Sequence, residues 1–160
     1  MCITAGKTYT AIVETTQGTL HIELRNDIAP RTVNSFVNLA RAHYFDTTKC
    51  HRAVKGFVVQ CGDPTATGTG GPGYEFADEL SKIEPYRIGS VAMANAGANT
   101  NGSQFFIITG AQGAGLSPDY SLFGQVVEGQ DVVAAIDALG VGDGPPREPV
   151  SMTTVTIEES

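Results

Sequence analysis

The chain reads as a mainly β fold, an antiparallel sheet that closes or nearly closes on itself, with two helices over its open ends. Three observations predict this. Apolar and polar residues alternate over several short segments, the period-two signature of half-buried strands. Two segments carry apolar residues at helical spacing. Turn formers are frequent, with 19 glycines and 8 prolines among 160 residues.

The elements follow in chain order. Tyr9, Ala11 and Val13 alternate with Thr10, Ile12 and Glu14; after a turn near Gln17-Gly18, Leu20, Ile22 and Leu24 alternate with His21, Glu23 and Arg25. That pattern predicts a hairpin with one apolar and one polar face. Pro30 suits a first helical position, and Val33, Phe36, Val37 and Ala40 follow at i, i+3, i+4 and i+7. Further strands are predicted over Cys50–Val54, Phe57–Cys61, Ser90–Met93, Gln104–Thr109, Leu122–Glu128 and Val150–Glu158. A second helix is predicted from about Gln130 to Leu139, with Val132, Val133, Ile136 and Leu139 as its stripe and Gly140 at C′. A single apolar stripe must be buried, so each helix covers the sheet. Length and unbroken composition predict one domain over residues 1–160.

Composition narrows the function classes. The net charge of −7 argues against non-specific binding to nucleic acid or anionic membrane. No apolar run approaches the ~18 residues of a membrane span, and the N-terminal residues lack the apolar core of a signal peptide. Three cysteines, Cys2, Cys50 and Cys61, have no metal-ligand spacing, and an odd count fits a reducing cytoplasm. His21, His43 and His51 are scattered, so no metal is expected. The run Gly68-Thr69-Gly70-Gly71-Pro72-Gly73 matches G-x-G-x-x-G, but Pro72 and Gly73 interrupt the helix that a dinucleotide site requires, which leaves a wide surface loop. No Gly-x-Ser-x-Gly elbow surrounds Ser103. No exposed helical seam predicts an obligate oligomer, so a monomer is expected.

Two segments carry the functional signal. Cys50-His51-Arg52-Ala53-Val54-Lys55-Gly56-Phe57-Val58-Val59-Gln60-Cys61-Gly62-Asp63 predicts a hairpin turning at Lys55-Gly56. Met93-Ala94-Asn95-Ala96-Gly97-Ala98-Asn99-Thr100-Asn101-Gly102-Ser103-Gln104-Phe105-Phe106 predicts an amide-rich loop entering a strand, with Gln104 and Phe106 on one face and Phe105 and Ile107 facing the core. If Arg52 and Gln60 share a groove, strand alternation puts Cys50 on their face and Cys61 on the other, so no disulfide is expected between them.

These two segments, with Gly68-Thr69-Gly70-Gly71 and Phe123-Gly124-Gln125-Val126, resemble the cyclophilin-type peptidyl-prolyl cis-trans isomerases over about Ala11 to Ile157. The resemblance implies an eight-stranded antiparallel β-barrel capped by two helices. It implies a prolyl isomerase that assists folding without a cofactor, acting on proline-containing polypeptides through electrostatic stabilisation of a twisted amide by Arg52. It further implies a proline pocket of Phe57, Val58, Phe106 and Leu116, with Gln60 positioning the arginine. Ala94 and Asn95 would form a peptide-binding edge, with Gln104 beside them. Three departures stand out. Cys50 replaces a phenylalanine. Tyr120 replaces a pocket histidine. No tryptophan is present, and the family's pocket tryptophan falls near Gly115 within Gly110-Ala111-Gln112-Gly113-Ala114-Gly115, a small and flexible stretch. The family's cyclosporin site uses that tryptophan, so weak cyclosporin binding is expected.

Two other functions compete. A proline-peptide binding module would be expected to have lost Arg52. A carrier of a small apolar ligand needs a hollow barrel, and Phe36, Phe105 and Ile107 argue for a filled one. His51 falls on the strand face opposite Arg52 and reads as structural rather than as a base.

Overall fold

The computed structural model describes residues 2–160, and Met1 lies outside the described residues. Nine strands form one sheet: β1 (Tyr9–Thr15), β2 (Gly18–Leu24), β3 (Thr48–Lys49), β4 (Arg52–Val54), β5 (Val58–Cys61), β6 (Ser90–Met93), β7 (Phe105–Ile108), β8 (Leu122–Glu128) and β9 (Ser151–Glu159). Helices are α1 (Pro30–Arg41), α2 (Ala111–Ala114) and α3 (Gln130–Ala138). The lateral strand order is β3-β9-β1-β2-β8-β6-β7-β5-β4, and each named pair is antiparallel.

The mainly β, antiparallel, helix-covered fold agrees with the sequence reading, and three details differ. The strand count is nine rather than eight, and the hydrogen-bonded order does not run round a full circle. Its end strands, β3 and β4, are nevertheless separated in the chain by only Cys50 and His51. Three Cα steps span at most about 11 Å. The sheet must therefore curl until its edges meet, and the chain itself crosses the seam. The third helix, α2, is a single turn within the stretch expected to be flexible. Gly56 takes φ +78° in the β4–β5 turn, where Phe57 N–H donates to Val54 O at 3.0 Å. A Cβ on Gly110 would lie 2.2 Å from the Gly56 carbonyl carbon, so these two glycines let α2 seat on the hairpin turn.

Alternation sorts the side chains as expected. Phe105, Ile107, Val59, Cys61 and Ala53 enter the main core with the buried faces of β1, β2, α1 and α3. Phe36 lies at the centre of an aromatic cluster, with ring centroids 5.0 Å from Phe45, 5.6 Å from Phe105 and 5.4 Å from Phe123. Such pairs contribute about 0.5–1.5 kcal/mol each beyond burial, and they fill the interior that a ligand carrier would leave open. Val58, Phe106, Ile108 and Ala92 point to the opposite face and form a second cluster with Tyr86 and Leu122. Helix α1 has no N-cap side chain of its own; Glu79 supplies one, accepting from Arg31 N–H at 3.2 Å and from Thr32 N–H at 2.7 Å.

One expectation is overturned. Cys50 and Cys61 form a disulfide, with Cα atoms 4.1 Å apart. The parity argument assumed a strand running back from Arg52 through Cys50. Instead β4 begins at Arg52, and Cys50 and His51 form the crossing from one sheet edge to the other. Cys50 continues the β3–β9 pairing, its N–H donating to Val150 O at 2.8 Å, and its side chain turns into the core beside Cys61.

Candidate active site

On the face opposite the main core, a pocket of about 150 Å³ is lined by Arg52, Phe57, Val58, Gln60, Ala94, Asn95, Phe106, Leu116 and Tyr120. Its volume equals roughly five water molecules' share of liquid, well below the ~300 Å³ at which drug-sized pockets begin. It suits one small ring. Nine of the ten residues singled out in the sequence meet here. The tenth, Gln104, lies in an adjoining cleft of about 830 Å³, which shares Gln60, Ala94 and Asn95 and is walled by the loop Gly68–Glu75.

Each element delivers its residue for a local reason. Arg52 and Gln60 are direct cross-strand partners in the β4–β5 ladder, and Gln60 pairs with Phe106 in the β5–β7 ladder, so three adjacent strands present one row. Phe57 precedes β5, and its carbonyl accepts from Thr109 N–H at 3.0 Å and Gly110 N–H at 3.3 Å, which ties it to the start of α2. Leu116 follows α2, its N–H donating to Gly113 O. The Tyr120 ring stands edge-on to Phe106 at 5.3 Å. Ala94 donates its N–H to Gln104 O at 3.0 Å, while the Asn95 backbone N–H and C=O make no hydrogen bond among the described residues. That leaves an open edge next to the pocket.

The Arg52 and Gln60 side chains, although paired in register, make no hydrogen bond to each other. Gln60 donates Nε2 to Gln104 Oε1 at 2.8 Å, and Gln104 donates its own Nε2 to the carbonyls of Gly68 and Gly70. Arg52 instead donates Nε to Asp143 Oδ1 at 2.8 Å, and its guanidinium carbon lies 5.8 Å from the Phe57 ring centroid. His51, chain neighbour of Arg52, does not line the pocket. Its Nδ1 is buried without a hydrogen-bond partner. Burial lowers its pKa, opposed by Asp63 and assisted by Arg52.

The structure adds three residues that the sequence did not single out. Asp63 is fully buried, and its carboxylate accepts from Thr65 N–H, Thr65 Oγ1, Thr67 N–H, Gly68 N–H and Gly70 N–H. Burial pushes this carboxyl up, but the Thr65 hydroxyl and the backbone donors outweigh it and hold it far below the usual carboxylate range. The loop that meets Gln104 is thus folded around one charge. Tyr86 donates its hydroxyl to Tyr120 O at 2.6 Å and accepts from Tyr120 N–H at 3.1 Å. Burial pushes its phenol up to about 12, so it keeps the proton it donates. Asp143 is the third. Asp63 stood in a quoted motif without a role; Tyr86 and Asp143 carry no sequence pattern. Among the described residues, no group of three or more His, Cys, Asp or Glu side chains could hold a metal ion.

Comparison with known proteins gives the family. Residues 10–157 match the family described as cyclophilin type peptidyl-prolyl cis-trans isomerase/CLD. The chain belongs to this family. It is 41% identical over 172 residues to peptidyl-prolyl cis-trans isomerase A of Mycobacterium tuberculosis, with 94% of this chain and 92% of the relative covered. It is 38% identical over 173 residues to the probable peptidyl-prolyl cis-trans isomerase B of Mycobacterium leprae, covering 94% of this chain and 57% of that one. The chain therefore spans a little over half the length of the B-type relatives and nearly all of the A-type. A crystal structure of a Cryptosporidium parvum cyclophilin type peptidyl-prolyl cis-trans isomerase superposes with a TM-score of 0.87 at 30% identity, covering 94% and 98% of the two chains. The structure of that protein in the presence of the dipeptide Ala-Pro gives 0.86 at 31% identity, covering 93% and 98%.

Proposed function

We propose that the chain accelerates cis–trans rotation about X–Pro bonds in extended polypeptides, as a single-domain, cofactor-free, monomeric folding catalyst with Arg52 as the catalytic residue. The observation that carries this reading is Arg52 lining a ring-sized pocket with an aromatic and aliphatic wall, beside an unpaired backbone edge. The X–Pro barrier is about 20 kcal/mol because resonance stiffens the C–N bond. About a thousand events per second requires lowering it by roughly 7 kcal/mol. Twisting removes conjugation and returns a lone pair to nitrogen, which becomes a better hydrogen-bond acceptor. A fixed cationic donor near that nitrogen stabilises the twisted amide more than the planar one. Arginine stays protonated and offers rigid donors. The pocket of Phe57, Val58, Phe106, Leu116 and Tyr120 would hold the proline ring while the preceding carbonyl swings; Ala94, Asn95 and Gln104 would carry the flanking backbone. No covalent bond forms and no proton transfers.

The partners implied are proline-containing polypeptides, with neither nucleic acid nor membrane; among the described residues, no helix is long and apolar enough to cross a membrane. Cyclosporin is expected to bind weakly, because the resemblance puts the family's tryptophan near Gly115, within the small residues of Gly110–Gly115. A titration calorimetry value below about 1 μM would contradict that. A cytoplasmic location rested on the odd cysteine count, and the Cys50–Cys61 bond removes that ground, since paired cysteines suit an oxidising compartment. The activity is tested by exchange of a short Ala-Pro peptide with the purified chain. Acceleration supports the proposal, and binding without acceleration would replace it with a proline-peptide binding module.

A further inference from the structure

The outer edge of β4 is occupied by residues 141–144 rather than by another strand. Val141 N–H donates to Ala53 O at 3.1 Å, Lys55 N–H to Val141 O at 3.3 Å and Ala53 N–H to Gly144 O at 2.9 Å, with a parallel bridge between Val54 and Val141. Asp143 sits inside this tie, so its backbone is fixed relative to the strand that carries Arg52. Its carboxylate accepts from Arg52 Nε at 2.8 Å and from Nη2 at 3.5 Å. Nε and Nη2 share one edge of the planar guanidinium. Nη1 has no protein hydrogen bond among the described residues, and the Phe57 ring lies against the group 5.8 Å from its centroid.

We propose that Asp143 is a positioning residue for Arg52: it holds the Nε–Nη2 edge and leaves the Nη1 end directed to a bound X–Pro peptide. The inference rests on the reading of Arg52 as catalytic. An exposed ion pair of this kind does little for stability, and the Asp143 side chain is 69% exposed. Its effect lies in geometry. Arginine is long and flexible, and a rotamer chosen before substrate arrives need not be chosen in the transition state. Carboxylate on one edge and aromatic ring beside it together set both the position and the plane of the guanidinium. Arg52 holds the Asp143 carboxyl below its ordinary range, so the pair persists in charged form through neutral pH.

The test compares Asp143→Ala and Asp143→Asn in the full chain by Ala-Pro peptide exchange. Asp143→Ala is expected to lower kcat about three- to tenfold with KM changed less than about twofold. Asp143→Asn keeps an oxygen acceptor for Nε and is expected to stay within about twofold of wild type. In an Arg52→Ala background, adding Asp143→Ala should change nothing further. Unchanged or raised kcat in Asp143→Ala would overturn the proposal, as would an equal loss in the Arg52→Ala background. If Arg52→Ala alone left kcat intact, the reading of Arg52 would fail instead.

Discussion

Arg52 and His51 are adjacent in the chain, yet their chemistry separates at the seam. Arg52 opens β4 and faces the pocket, whereas His51 lies in the crossing between sheet edges with Nδ1 buried and unpartnered. A base at the site would impose a one-proton step on the rate. With His51 outside the pocket and Arg52 always charged, kcat is expected to be flat from about pH 6 to about pH 8.5. Stability should behave otherwise. Burial depresses the folded-state pKa of His51 below its unfolded value, so the unfolded chain takes up this proton more readily. Stability from this group is present above about pH 6.5 and is lost as pH falls through the lower folded value. Denaturant midpoints at about pH 7 and about pH 5 should differ less in His51→Gln than in wild type; an equal difference would assign the acid sensitivity to other groups.

At the scale of elements, the β4–β5 hairpin presents two of the polar site residues and is held in three ways. It pairs with β7 on one side, residues 141–144 tie the outer edge of β4, and the Cys50–Cys61 bond closes its base. Closing a loop of about 12 residues is worth about 3 kcal/mol in the chain-entropy model. Reduction, or Cys50→Ser with Cys61→Ser, is therefore expected to lower Tm by about 6–12 °C. The aromatic pocket wall comes from Phe57 ahead of β5, Phe106 on β7 and Tyr120 ahead of β8, so peptide binding should survive while exchange slows. An unchanged Tm under a strong thiol reductant would show that the bond contributes nothing. The hairpin and its turn followed from the sequence because apolar alternation marks a strand wherever one face is buried. The disulfide did not follow, since alternation ceases to apply at Cys50 and His51. Helix α2 was also hidden: glycines at 110 and 113 suggest freedom, whereas here they permit close approach to the backbone of Gly56 and Phe57.

For the whole molecule, the curling of one sheet puts distant segments side by side. Pocket residues from 52 to 120 meet because β5, β6 and β7 are neighbours and their alternate side chains share a face. Alternation in Cys50–Asp63 and Met93–Phe106 already indicates which side chains there share a face, whereas the pocket itself, with Leu116 and Tyr120, came from the family resemblance. The Asp143–Arg52 pair could not be read from the sequence, being 91 positions apart and held by an exposed Gly-Asp-Gly segment without periodicity. Asp63 likewise stood in plain view, but its role depends on the path of the loop that wraps it. The fold supplies the frame, and in the function proposed above the chemistry reduces to one cation, Arg52, lining one small pocket. The decisive measurement is kcat for Ala-Pro peptide exchange at saturating peptide, wild type against Arg52→Ala, with peptide affinity measured on both. The expected result is a loss of about two decades in kcat, some 2.7 kcal/mol of barrier, at nearly unchanged affinity. Equal kcat in the two proteins would contradict electrostatic catalysis by Arg52 and leave the pocket as a binding site alone.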